Sequence, residues 1–293
     1  MPNPVAEAFR NAARLSAQDA RRQGNLLRFA AGEEIVYAGD LHGNRQNLAR
    51  IIAFCDLAAH PDRRLVLQEI VHCERGPQSR GIGFGDPALD AGGDLSPDVL
   101  LRAVRLKLAQ PERVYFLIGN HDLAEITGQE IAKGGRGMCR DFKARLIACF
   151  GDQADEVHAA IAEFLHSLPL AARCANGAFL THSLPAPARM PLVDWTILNR
   201  PYQPADLLRG GSVYEWTWGR GHSAQQLAEL AQRLDARCFL LGHQPVEEGF
   251  RIEHGRLVLL ATDHAYGAIM VFDAGAEMPQ EDLPQHIRPV YSL

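Results

Sequence analysis

Apolar residues fall into short runs that break on glycine or a polar residue, and stretches with helical spacing follow several of them. Residues 34–38 read as a strand ending at Gly39-Asp40, and residues 45–59 then carry Leu48, Ile51, Ile52 and Cys55 at helical spacing. Residues 64–71 read as a second strand. Ser96 caps a helix running to Ala109, with Pro97 at its first position. Residues 114–118 give a third strand, which ends at Gly119-Asn120. This alternation predicts parallel strands with right-handed crossovers and function at their carboxyl ends.

The second half has a different rhythm. Helical patterns at 141–150 and 155–167 precede short strands at 170–174 and 178–181. A Pro-rich stretch leads to a helix at 223–234, and strands follow at 238–241, 250–253, 257–261 and 269–272. These last four are expected to form a mostly antiparallel meander. No linker or internal repeat divides the chain, so one domain over 1–293, built from two packed sheets, is expected. Residues 1–33 are read as an N-terminal helical extension, 76–93 as a loop insertion and 273–293 as a C-terminal tail.

Composition narrows the function classes. Hydrophobic residues at 47% and charged residues at 22% describe an ordinary globular chain and exclude a disordered one. The formal net charge of -5 argues against sequence-independent nucleic-acid binding, so no nucleic-acid partner is expected. Of 30 basic residues only Lys107, Lys133 and Lys143 are lysine, which leaves many guanidinium forks suited to phosphate. Cys55, Cys73, Cys139, Cys149, Cys174 and Cys238 are scattered, as reduced thiols in a cytosolic protein would be. The arginines at 10, 14, 21 and 22 flank no apolar signal segment, and no long uncharged apolar run would cross a membrane. A soluble, cytoplasmic protein with no membrane partner is therefore expected.

Chemistry concentrates where strands end. Asp40 and His42 are two apart, so in extended backbone their side chains share a face and can grip one divalent metal. Alone, Asp-x-His is an ordinary turn, here capped by Asn44. Repetition changes the reading: later strands end in Gly119-Asn120-His121-Asp122, Thr181-His182 and Gly242-His243. Four strand ends thus deliver Asp, Asn or His to a common rim.

On these residues the chain resembles the calcineurin-like metallophosphoesterases. Glu74-Arg75-Gly76, Trp218-Gly219-Arg220-Gly221 and the run Gly242-His243-Gln244-Pro245 resemble the phosphoprotein phosphatase branch, which holds serine/threonine phosphatases and symmetrical dinucleoside tetraphosphatases. The resemblance spans about 34–272 in order. It implies an α/β fold of two packed mixed β-sheets flanked by helices, an αββα metallophosphoesterase sandwich. It further implies two divalent metal ions roughly 3.5–4 Å apart, bridged by a hydroxide that attacks phosphorus in line. Manganese is the first expectation, with iron or zinc as alternatives. Asp40 and His42 would hold one metal, and Asn120, His182 and His243 the other.

The family has Gly-Asp at the end of the second strand, whereas this chain has Gln68-Glu69. Glu69 is the expected bridging ligand, with Asp86 and Asp94 of the insertion region as alternatives. Glu69 to Glu74 spans five residues where the family spans three, so the loop is longer and His72 is among its contributions. His121 would give a proton to the leaving oxygen, oriented by Glu74, while Arg75 and Arg220 fork onto phosphate oxygens. Trp195, Trp216 and Trp218 are expected in the core, and the run 133–137 is a candidate mobile lid. His264 and Tyr266 stand where the family contacts substrate. The function implied is a phosphatase acting on phosphoserine or phosphothreonine in proteins. A dinucleoside polyphosphate hydrolase, with a nucleotide substrate, is the alternative, and a catalytically impaired binding module is the reading of another class.

Overall fold

The computed structural model describes residues 3–73 and 94–293. In chain order its strands are β1 (Arg22–Gln23), β2 (Leu26–Phe29), β3 (Glu34–Asp40), β4 (Arg63–Gln68) and β5 (Val114–Leu117). Then follow β6 (Ala132–Lys133), β7 (Arg136–Gly137), β8 (Ala171–Cys174), β9 (Ala178–Thr181) and β10 (Cys238–Leu241). The last are β11 (Phe250–Glu253), β12 (Leu257–Leu260), β13 (Ala268–Asp273) and β14 (Ile287–Pro289). The longer helices are α1 (Pro4–Ala17), α2 (Arg45–Cys55), α3 (Ser96–Ala109), α4 (Asn120–Thr127), α5 (Met138–Phe150) and α6 (Ala154–His166). Short α7 (Pro204–Leu207) and α8 (Ser212–Thr217) precede α9 (Ala224–Leu234).

Two mixed sheets carry the fold: a seven-stranded one in the order β1-β2-β8-β9-β10-β12-β11 and a five-stranded one in the order β14-β13-β3-β4-β5. In the smaller sheet β3, β4 and β5 run parallel, as the strand–helix alternation requires. Side chains alternate between two cores. Ile35, Tyr37, Val66, Tyr115, Leu117, Cys238, Leu240, Val258 and Leu260 fill the space between the sheets. Val36, Ala38, Leu65, Leu67, Phe116, Phe239, Leu241, Leu257 and Leu259 face outward into a second core that includes helix residues such as Leu48, Val104 and Leu230. Both faces of these strands are covered, which is why they read as unbroken apolar runs.

The meander does not form. β10 pairs in parallel with β9 and β12, β11 joins β12 antiparallel at the sheet edge, and β13 crosses to the other sheet between β3 and β14. Burial explains the division. Ala268, Ile269 and Met270 are fully enclosed and need a neighbour on each side, whereas Arg251 of β11 is exposed and suits an edge. The N-terminal segment is helical only over α1; Leu26, Leu27 and Phe29 are buried around exposed Arg28, and β2 pairs with β8. The C-terminal stretch supplies β14.

One contact ties the sheets under the strand ends. The Tyr37 hydroxyl lies 3.1 Å from the Thr181 carbonyl and 3.0 Å from that of Leu240, and it accepts from Gln68 Nε2 at 2.8 Å.

Candidate metal centre

The carboxyl ends of β3, β4, β5, β9 and β10 meet at one rim. Asp40 is the last residue of β3; Glu69 follows β4, His182 follows β9, and His243 lies two residues past β10. Asn120 and His121 open α4, whose cap Gly119 donates its N–H to Asp122 Oδ2 at 2.8 Å. The chain turns sharply to present these groups. His42, Glu69, His72 and His243 have φ of 40°, 40°, 64° and 65°, in the left-handed region that costs a non-glycine residue of order 1–3 kcal/mol. Backbone strain of this kind gathers where geometry is held for function.

Nitrogen and oxygen atoms converge there. Asn120 Oδ1 is 2.8 Å from His182 Nε2 and 2.7 Å from His243 Nδ1, and those two nitrogens are 3.1 Å apart. Glu69 Oε2 lies 3.6 Å from His42 Nε2 on one side and 3.5 Å from His182 Nε2 on the other. Its second oxygen accepts the His121 backbone N–H at 2.6 Å. Asp40 Oδ1 is 3.4 Å from His182 Nδ1, while Oδ2 accepts the His243 N–H at 2.8 Å. Gly242 is required here, because a Cβ on it would stand 2.2 Å from Asp40 Oδ1.

These residues fit divalent metal. Asp40 Oδ1 and His182 Nδ1 are buried and, among the described residues, have no hydrogen-bond partner. Such orphans inside a protein are expensive unless something else takes their lone pairs. At this rim, among the described residues, two groups of ligand atoms each lie within 4.8 Å of one another: His42, Glu69 and His121, and Asp40, Glu69 and His182. Glu69 belongs to both, as a bridging carboxylate must, and mixed nitrogen and oxygen donors suit manganese, iron and zinc. Asp40 groups with Glu69 and His182, its Oδ1 facing His182 Nδ1.

Burial acts on both carboxylates with opposite outcomes. It opposes ionisation of Asp40, but His182 foremost, then His42 and His243, hold that carboxyl below its usual range. Glu69 is pushed well above its ordinary value by burial and then by the Asp40 charge. His121 and His243 are pushed well down by burial and by the neighbouring imidazoles. Asp122 is raised to about 7, again by burial.

Around this centre the other expected residues take varied places. Arg220 donates from Nε to His243 Nε2 at 2.9 Å, so it supports a candidate ligand. Trp218 packs edge-on against His243 at 6.2 Å, while Trp216 is fully buried and donates to Thr181 Oγ1 at 3.0 Å. Asp94 Oδ1 accepts from the N–H groups of Cys73 and Ser96 and shapes the chain there. His264 Nε2 lies 2.8 Å from the Val246 carbonyl, and Tyr266 is exposed. The run 133–137 folds as the β6–β7 hairpin, and the charge of Lys133 is felt by Asp263, Arg220, Glu69 and Asp40. Glu74, Arg75, Asp86 and the insertion 76–93 lie outside the described residues.

Sequence reasoning missed Glu125 and His158. His72 Nδ1 is 2.8 Å from His121 Nδ1, and Glu125 bonds both His72 and His158 at 2.7 Å. Glu125 had a readable signal: it stands four residues after His121 on α4, hence on the same helical face. His158 comes from α6 and had none.

Comparison with known proteins agrees with this geometry. The calcineurin-like phosphoesterase family profile matches residues 34–272. No curated protein sequence matches the chain significantly. Among solved structures, a protein serine/threonine phosphatase from Saccharomyces cerevisiae, described as similar to human phosphatase PP5, superposes with a TM-score of 0.64 at 16% identity. That match covers 98% of this chain and 92% of the yeast one. The cold-active protein-tyrosine phosphatase of a psychrophilic Shewanella species gives a TM-score of 0.56 at 11% identity, over 89% of this chain and 80% of that one.

Proposed function

This chain belongs to the calcineurin-like phosphoesterase family and is a metal-dependent phosphatase, and on that premise we propose that its substrates are phosphoserine and phosphothreonine side chains of proteins. The observation that carries the reading is the approach of histidines from both sides to one oxygen of Glu69. Asp40, His42 and Glu69 would hold one divalent ion, and Glu69, Asn120, His182 and His243 a second, with manganese the first choice. Bound there, such ions supply charge neutralisation of the phosphoryl oxygens and an activated water. His121 gives a proton to the departing oxygen, and Lys133, whose charge is felt at Glu69 and Asp40, attracts the phosphate dianion. Arg220 orients His243 through its Nε hydrogen bond. Fold likeness to the yeast serine/threonine phosphatase favours a protein substrate, while likeness to the Shewanella protein-tyrosine phosphatase makes phosphotyrosine the competitor to exclude.

The test is phosphate release by chelator-stripped protein with manganese restored. Phosphoserine and phosphothreonine peptides, a phosphotyrosine peptide and diadenosine tetraphosphate are compared at equal concentration. The serine and threonine peptides are expected to lead in kcat/KM by about tenfold or more, a difference of about 1.4 kcal/mol in transition-state binding. A faster reaction with the dinucleotide would overturn the protein substrate and leave a nucleotide hydrolase.

A further inference from the structure

Behind the rim, four elements bring a second set of metal-binding side chains together. His72 comes from the segment after β4, Glu125 from α4, Cys139 from the start of α5 and His158 from α6. His72, Glu125 and Cys139 each offer one ligand atom, and these atoms lie within 4.8 Å of one another. His72 Nε2 is 2.7 Å from Glu125 Oε1, and the other carboxylate oxygen, Oε2, is 2.7 Å from His158 Nε2. The Cys139 sulfur makes a long contact, 3.7 Å, to the Gln129 carbonyl.

Each of these groups is held in place. His72 sits in the left-handed region at φ 64°, and its N–H donates to Ser96 Oγ at 2.9 Å. Its Nδ1 edge lies 2.8 Å from His121 Nδ1, so the Nε2 edge is turned away from the rim towards Glu125. Glu130 Oε1 accepts the Cys139 N–H at 2.9 Å. Fully buried Phe142 packs against the rings of His72 at 5.8 Å and His158 at 6.3 Å. An apolar wall and a hydrogen bond to the free oxygen of a carboxylate are the outer supports that metal ligands use. The side chains of His72 and Glu125 are 0% and 1% exposed, whereas that of His158 is 27% exposed and Cys139 is partly exposed, which leaves a way in from the surface.

The geometry points to a third metal site, distinct from the rim, in which His72, Glu125 and Cys139 hold one zinc ion and His158 supports Glu125. The ligand atoms are His72 Nε2, Glu125 Oε1 and Cys139 Sγ. Donor chemistry selects the ion: a thiolate beside an imidazole suits zinc, whereas manganese favours the oxygen and nitrogen donors of the rim. On binding, the Cys139 thiol gives its proton to solvent and His72 coordinates as the neutral ring. Zinc then takes the place of the hydrogen bond between His72 and Glu125, and water fills the remaining position. Such an ion fastens α4 and α5 to the segment after β4, whichever phosphoester the rim cleaves.

Chelator-stripped protein is loaded with cobalt, whose bond to thiolate absorbs strongly in the near ultraviolet, while its bonds to nitrogen and oxygen do not. Wild type is expected to show this band and Cys139→Ser to lose it. After zinc loading and desalting, Cys139→Ser is expected to retain one zinc fewer per chain by elemental analysis. His182→Ala, which breaks the rim, is expected to keep the band, so failure of the rim and failure of this site read differently. His158→Ala is expected to weaken cobalt binding at the band by about 10- to 100-fold, and an unchanged affinity would overturn its supporting role. No band in wild type would overturn the site. So would a band that survives Cys139→Ser, which places the thiolate on another cysteine, or one lost in His182→Ala, which assigns it to the rim. Equal zinc in wild type and Cys139→Ser would overturn it as well, leaving these side chains a hydrogen-bonded support. If Cys139→Ser does not fold, Glu125→Gln carries the zinc count.

Discussion

At the scale of single residues, Glu69 is where the chemistry of this centre is most exposed to test. A glutamate reaches one methylene further than aspartate, and the left-handed turn at φ 40° takes up that length so that Oε2 still arrives between His42 and His182. Without metal, burial and Asp40 drive this carboxyl towards its neutral form. Glu69→Gln keeps that neutral shape. The expected outcome is a variant that binds at least one metal fewer by elemental analysis, yet whose metal-free Tm at pH 7 is no lower than that of the wild type. A large fall in metal-free Tm would show that Glu69 is held ionised by the fold. A variant that keeps both metals and full turnover would move the bridge elsewhere.

At the scale of elements, the sequence announces the rim better than the sheets behind it. β3, β4 and β5 were legible because both faces are buried and each run stops at a polar residue in a turn. The order of β10 to β13 was not, because the partner of β13 is β3, more than 200 residues earlier, and no local pattern states a partner. β2 was hidden for the same reason: Leu26-Leu27-Arg28-Phe29 becomes a strand by pairing with β8. The candidate ligands were legible as residue types at strand ends. The support beneath His121 was not, since Glu125 and His158 meet only when α4 packs on α6. Loop geometry at strand ends also imposes size. A Cβ at Gly242 would stand 2.2 Å from Asp40 Oδ1 and 2.5 Å from Gln68 Nε2. Gly242→Ala is expected to lower stability by about 1–3 kcal/mol, the usual range for overpacking, and to reduce metal content below two per chain. Urea unfolding and elemental analysis measure both, and unchanged values would mean that the Asp40 carboxylate can step aside at little cost.

At the scale of the molecule, Lys107 sets a pH signature. It is almost wholly buried on α3, donates to the Pro111 carbonyl at 2.6 Å and lies 4.8 Å over the Tyr115 ring. Burial lowers its pKa from 10.5 to about 8, with Asp19 opposing the shift. Between these values the unfolded chain binds more protons than the folded one, so stability rises with pH from about 8 to about 10.5 and is level in this respect below 8, where both states are protonated. Urea midpoints across this range should rise more steeply for wild type than for Lys107→Met. Parallel curves would show that the ammonium finds a better-solvated place than the fold describes. The whole molecule also decides when its centre can exist. The candidate ligands come from both sheets, and the Tyr37 hydroxyl fastens β3 to β9 and β10 directly beneath them. On a chain emerging from the ribosome, Asp40, His42, Glu69 and Asn120 are made long before His182 and His243, and β3 must wait for β13. A nascent chain therefore has no finished cage to offer a stray ion, and loading with metal becomes the last act of its synthesis.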